Sequence, residues 1–230
     1  MINRKEKIMN NDRYLHHFHC SILNAELNML LTKECSREKI KQKKERLDKL
    51  FSNISNEDEI ESIIQDEKHA YLYKNMTRCE INWFNDIIKN TENMPICVSI
   101  SSTSVRKFPL IYVNKQFEKM TKYKRFEILG KNCSFLQPSI IPDDENIQYI
   151  LMKNALENMS QISLIITNVK ADGTSFQNLL ALYPIKDKNG NSLYIIGVQT
   201  EITSNHISKE DIINIQNVID LFYILQYNIK

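Results

Sequence analysis

Along residues 12–32 the apolar positions Tyr14, Leu15, Phe18, Ile22, Leu23, Leu27 and Leu30 recur at helical spacing. That spacing predicts a helix with one buried face. The same periodicity predicts helices over 36–51, 56–65 and 68–89, the last with Tyr71, Leu72, Met76, Ile81, Trp83, Phe84, Ile87 and Ile88. From Met94 the texture shortens to strand-like runs at 96–101 and 110–113, joined by a polar connection of hairpin length. Asn114 is placed to cap a short helix carrying Phe117 and Met120. Pro142 opens another helix, acidic in its first turn, with Ile147, Ile150, Leu151, Ala155 and Leu156 as the expected buried stripe. Strands at 161–169, 174–185 and 192–202 follow, and the turn pairs Asp172-Gly173 and Asn189-Gly190 make them consecutive and antiparallel. A last helix over 208–230 lines up Ile212, Ile215, Ile219, Phe222 and Leu225, with Ile213, Leu221, Ile224 and Ile229 widening the face.

Helix breakers divide the chain more sharply than charge does. All 4 glycines and all 5 prolines fall between Pro95 and Gly197, so the first 94 residues read as helices with polar connections. Two strands, a helical middle and three strands describe an α+β fold, a five-stranded antiparallel sheet with helices on one face. The expected organisation is a helical region at 1–93, a sheet domain at 94–203 and a C-terminal amphipathic helix at 204–230.

Charge and cysteine content narrow the classes of function. A formal net charge of +2 predicts no general attraction to nucleic acid or to an acidic membrane. The lysine- and arginine-rich face of 36–51 reads as a solvated helix face. Five cysteines without a CxxC pair, behind a polar N-terminus, fit free thiols in a reducing cytoplasm. No run is long enough to cross a bilayer, and membrane contact by the last helix is the weaker expectation because its basic residues are few. His16 and Cys20 share a helical face, but a structural zinc site needs four ligands and no second cluster supplies them, so no metal is expected.

One loop is odd for a plain surface connection. In Gly130-Lys131-Asn132-Cys133-Ser134-Phe135-Leu136-Gln137 a cysteine sits between amide residues, a glycine turn and a Phe-Leu pair. Ten residues separate Asn168 from Asn178, and Gln199 lies in Gly197-Val198-Gln199 near the end of the last strand.

This set resembles the LOV branch of the PAS superfamily, the flavin-binding blue-light receptors. The family's core motif matches Gly130 to Gln137 at every defined place except Ser134, where the family has arginine. The resemblance covers about residues 94–203. It implies a blue-light photoreceptor, without enzymatic turnover, in which Cys133 bonds reversibly to the C4a carbon of a flavin and signals to flanking helices. It implies Asn132, Cys133, Leu136, Gln137, Phe117, Ile166, Asn168, Asn178, Leu180, Leu182 and Gln199 around the rings, and Lys153 where a second arginine often sits. FMN is the implied flavin, and Ser134 leaves FAD and riboflavin open. The helical region ahead of the core is similar to arrangements in which a helical segment, in some members an RGS domain acting on G-protein α subunits, precedes LOV. The implied partners are therefore a second copy through the flanking helices or a protein effector such as a G-protein subunit. The alternatives are an interaction module with a dark, structural PAS core and a flavin redox sensor.

Overall fold

The computed structural model describes residues 69–141, 143–202, 212–213, 215–217 and 219–220. The helices expected over 12–32, 36–51 and 56–65, the His16/Cys20 pair, and Phe222, Leu225 and the rest of the last helix lie outside them. The described helices are α1 (Arg78–Thr91), α2 (Lys115–Thr121), α3 (Arg125–Ile128) and α4 (Asn146–Glu157). The strands are β1 (Cys97–Ser102), β2 (Leu110–Val113), β3 (Ile162–Val169), β4 (Ser175–Lys186) and β5 (Ser192–Ile202).

The strands form one antiparallel sheet in the order β2-β1-β5-β4-β3. The last strand therefore lies in the middle, with Cys97 opposite Gln199 and Ser99 opposite Gly197. Both turn pairs are present as expected. Gly173 and Gly190 take positive φ of 83° and 85°, and their amides close onto Lys170 and Asp187 carbonyls.

Strand alternation separates two faces. Val98, Ile100, Leu179, Ala181, Tyr194, Ile196 and Val198 share a core with Trp83, Phe84, Ile87 and Ile88 of α1 and with Ile215 and Ile219. Trp83 stacks on Tyr194 at 4.9 Å, and the Tyr194 hydroxyl donates to Glu80 at 2.8 Å. The other face carries α2, α3 and α4 over Cys97, Leu164, Ile166 and Leu180. Helices of the sheet domain thus cover one face, and α1 with the described C-terminal residues covers the opposite one. Helix α1 shares the sheet's core although it precedes Asn93.

Three local expectations are corrected. The helix expected over 68–89 is two pieces, a 3-10 turn at Ala70–Leu72 and α1. They are separated because Thr77 and Glu80 form a capping box: the Thr77 hydroxyl accepts the Glu80 amide at 3.2 Å, and the Glu80 carboxylate accepts the Thr77 amide at 2.8 Å. Helix α4 begins at Asn146 and buries Gln148, Tyr149, Met152 and Ala155, while Ile147, Ile150 and Leu151 are nearly half exposed. Its rotation is fixed by polar anchors that periodicity does not weigh: the Tyr149 hydroxyl donates to the Thr167 carbonyl, and Glu145 accepts both the Thr167 amide and its hydroxyl at 2.6 Å. In the last helix Ile215 and Ile219 are buried as expected, but Ile213 faces outward.

One residue ties the domain's entry together. Asn114 caps α2, its carbonyl accepting the amides of Phe117 and Val98 at 3.1 and 3.0 Å. Its NH2 group donates to the carbonyls of Thr91 and Ile96 at 2.9 and 2.8 Å. Beside it Arg125 pairs with buried Glu92 at 2.6 Å, and the Tyr112 hydroxyl donates to the same carboxylate at 2.8 Å.

Candidate functional site

Between the sheet and the helices on its α2–α4 face lies a cleft of about 670 Å³, counting its open mouth. Its floor comes from the odd positions of the central strands, Ser99 and Ser101 of β1 and Ile195, Gly197 and Gln199 of β5. Ile166 and Asn168 of β3 and Leu180 and Leu182 of β4 continue it. The roof is Met152 and Leu156 of α4 together with Asn132, Cys133, Ser134, Leu136 and Gln137. Gly197 makes the floor deep, since a Cβ there would stand 2.6 Å from the Ser99 hydroxyl.

The Cys133 loop is built by its own residues. Gly130 takes φ of +81° and its amide donates to the Leu110 carbonyl at 2.8 Å, so the chain leaving α3 turns sharply and is pinned to the start of β2. The Asn132 carbonyl accepts the Ser134 amide at 2.9 Å and opens the 3-10 turn Cys133–Leu136, while its NH2 holds the Lys107 carbonyl. Cys133 packs against the cluster of Phe117, Met120, Leu129 and Leu136. Burial pushes its thiol up to about 12, so Sγ keeps its proton at neutral pH. Cys97 is buried against Met120 with its Sγ 3.4 Å from the thioether, and Cys79 is exposed; neither lines the cleft.

At the sheet end three amides converge. The Asn178 NH2 donates to the carbonyls of Asn168 and Gln199, both at 2.7 Å. Asn178 is 0% exposed, and its own carbonyl oxygen has no partner. An unpaired buried acceptor costs about 1 to 3 kcal/mol. The residues present fit a flavin on three counts: apolar walls for the rings, the Asn168 and Gln199 amides for the polar edge, and the Cys133 thiol in the roof.

Of the residues singled out from the sequence, Asn132, Cys133, Leu136, Gln137, Ile166, Asn168, Leu180, Leu182 and Gln199 line the cleft. Asn178 stands behind Asn168 and Gln199 as the bridge between them. Phe117 is buried in the cluster that supports Cys133 and is not a lining residue. Lys153 is not a lining residue: its side chain is 76% exposed and lies 4.0 Å from Glu157 on α4. Sequence reasoning missed Ser99, Ser101, Phe108, Met152, Leu156 and Ile195. Alternation along β1 and β5 would have placed the two serines and Ile195 on the Gln199 face, but only once β1 was known to pair with β5.

Residues 93–204 match a family model described as PAS domain. The blue-light photoreceptor of Listeria monocytogenes is 33% identical over 123 residues, which are 54% of this chain and 47% of that protein. Blue-light-activated histidine kinase 2 of Erythrobacter litoralis is 36% identical over 109 residues, 47% of this chain and 31% of that protein. Among solved structures, the LOV domain of a blue-light activated histidine kinase from Erythrobacter litoralis aligns with a TM-score of 0.45 at 32% identity, covering 49% of this chain and 100% of that one. The chain spans about half or less of the length of these curated relatives.

Proposed function

Because residues 93–204 form a PAS domain of the LOV photoreceptor family, we propose that the cleft binds a flavin and that the protein is a blue-light sensor without enzymatic turnover. The observation that carries this reading is the Cys133 thiol, in the roof of one cleft, facing a floor that includes the Asn168 and Gln199 amides bridged by Asn178. A bound flavin would supply the photochemistry, a light-driven and thermally reversible bond from its C4a carbon to sulfur.

The chain's own residues would do the rest. Cys133 holds its proton on Sγ until light arrives, since burial disfavours the thiolate. Asn168, Asn178 and Gln199 orient the polar edge of the ligand, and Leu136, Ile166, Leu180 and Leu182 hold its apolar part. Asn132 fixes the Cys133 turn through the Ser134 amide, and Gln137 closes that turn. Gln199 couples the two faces of the sheet, because it lines the cleft while its neighbour Val198 packs with α1, Ile215 and Ile219. Any change in what the Gln199 amide meets must be re-paired, at about 1 to 3 kcal/mol if it is not. A bias of that size shifts a helix poised between two nearly balanced states. The domain limits 94–203, with helical output regions at 1–93 and 204–230, belong to this proposal, as does an output partner that is a second copy or another protein. Among the described residues no helix is long and apolar enough to cross a membrane.

The experiment is the visible absorption spectrum of the purified protein before and after a blue flash. A structured flavin band that bleaches and returns in the dark supports the reading, and Cys133→Ala should keep the band and lose the bleaching. A flavin that never bleaches would make the protein a redox or binding module. Gln199→Leu should still bleach but transmit less to α1, read as a smaller light-induced change in its amide hydrogen exchange.

A further inference from the structure

The chain reaches α1 through a short strap that lies against the Cys133 loop. Residues 69–76 open with the 3-10 turn Ala70–Leu72, closed by the Leu72 amide on the His69 carbonyl at 2.9 Å, and run to the Thr77 cap. Three side chains of this strap hold the sheet domain at successive points. Tyr73 is buried, and its hydroxyl donates to the Ile111 carbonyl of edge strand β2 at 2.7 Å. Leu72 packs both on the core shared with α1 and on the cluster that holds Cys133. Tyr71 is 61% exposed, yet its hydroxyl sits on Gly130, where an added Cβ would run into it. Gly130 is the point at which the Cys133 loop is anchored. Its amide donates to the Leu110 carbonyl at 2.8 Å, and the Leu110 amide donates to the Lys131 carbonyl at 2.9 Å. Cys133 follows three residues after Gly130, so a displacement of Sγ toward the cleft has to be taken up in this short length of chain. A ring as exposed as Tyr71 adds little to stability, because it buries little apolar area. Its hydroxyl instead fills the space beside a backbone position that has no side chain of its own and a φ of +81°.

We propose that Tyr71 is a positioning residue for Cys133: it braces the loop at Gly130, so that residues 69–76 set how fast the bleached state reverts and sense its formation. The inference rests on the flavin reading above and adds a way out of the site that bypasses Gln199 and the sheet. The brace holds the loop in its dark position. When Sγ is drawn toward the cleft, the braced loop pulls it back, and that pull speeds reversion. The same displacement loads the strap, through which residues 1–68 join the described fold.

The test follows dark recovery of the full-length, flavin-loaded protein after a blue flash, together with light-minus-dark amide hydrogen exchange. Tyr71→Ala should slow recovery by about threefold or more, since small losses of strain change a rate exponentially. Tyr71→Phe removes only the atom that touches Gly130 and should slow recovery in the same direction. Ile81→Ala, at an exposed position of α1, should leave the rate unchanged. In the wild type, light should raise exchange in residues 69–76; that rise should persist in Gln199→Leu and vanish in Tyr71→Ala. Recovery that is unchanged or faster in both Tyr71 variants, equal slowing by Ile81→Ala, or no light-induced change in 69–76 would overturn the inference, while the bleaching itself leaves the flavin reading standing. A wild type that holds no flavin, or one that never bleaches, would sink that reading and the inference together.

Discussion

Asn114 and Asn178 are both fully buried in this domain, and their surroundings differ in completeness. Asn114 accepts two backbone amides and donates to two backbone carbonyls, so each hydrogen-bonding position of its amide is filled from within the chain. Asn178 donates twice, to Asn168 and Gln199, and its carbonyl is left with nothing. The first arrangement belongs to folding, since it joins the end of α1, β1 and the start of α2. The second leaves one acceptor unpaired, and the two amides it bridges line a cleft that has a thiol in its roof. Two asparagines of equal burial thus differ in how far the fold itself satisfies them.

The largest effect should come from breaking the complete junction. Asn114→Ala strands the Val98 amide and the Ile96 carbonyl, each costing about 1 to 3 kcal/mol if left unpaired, while the Phe117 amide and the Thr91 carbonyl keep backbone partners in Asn114 and Met94. The sum is a large fraction of the stability of a domain, about 5 to 15 kcal/mol. The variant should be insoluble or melt far below wild type in a calorimetric scan, and a melting point within a few degrees of wild type would remove the junction's assigned role.

Next comes the ion pair beside that junction. Arg125→Met leaves Glu92 buried without its partner, which costs about 3 to 5 kcal/mol. Chemical denaturation should show that loss with little change in flavin affinity of the folded protein, since neither residue lines the cleft.

The incomplete cluster should respond the other way. Asn178→Ala should change the stability of the flavin-free protein by about 1 kcal/mol and weaken flavin binding by about 10- to 100-fold. Fluorescence titration reads the second number. Unchanged affinity with a collapsed melting point would make Asn178 a structural residue like Asn114 and erase the contrast.

The smallest effects concern pH. Burial raises the Cys133 thiol from 9.0 to about 12. Above the unfolded value the unfolded chain loses this proton while the folded chain keeps it, so folding stability should fall as pH rises from about 9 toward 12. Below that window the thiol is neutral in both states, and bleaching yield should be flat through neutral pH. Alkylation at mildly alkaline pH, followed by mass spectrometry, should label exposed Cys79 well before Cys133. Faster labelling of Cys133 would mean a thiolate in the roof.

Much of this was readable from the sequence because the signals were local. Strand limits, the Asp172-Gly173 and Asn189-Gly190 turns and the Asn114 cap depend on residues a few positions apart, and the structure places them as expected. The motif around Cys133 and the spacing of Asn168, Asn178 and Gln199 brought together most of the cleft's walls. What was missed depends on long-range pairing. The rotation of α4 is set by Tyr149 and Glu145 reaching β3, so its isoleucines face outward despite a pattern that favoured burying them. Lys153 followed from the family pattern alone; its side chain is exposed beside Glu157 and is not among the lining residues of the cleft. Ser99 and Ser101 became site residues only through the pairing of β1 with β5 across nearly the whole domain.

The most direct test of the central claim observes the Cys133 proton itself. A light-minus-dark infrared difference spectrum of the flavin-loaded protein should lose one S–H stretching band under blue light and regain it in darkness. The band should be absent from Cys133→Ala and present in Cys97→Ala. Bleaching of the flavin with every S–H band intact would contradict the account, because the light reaction would then bypass the thiol that the cleft holds protonated.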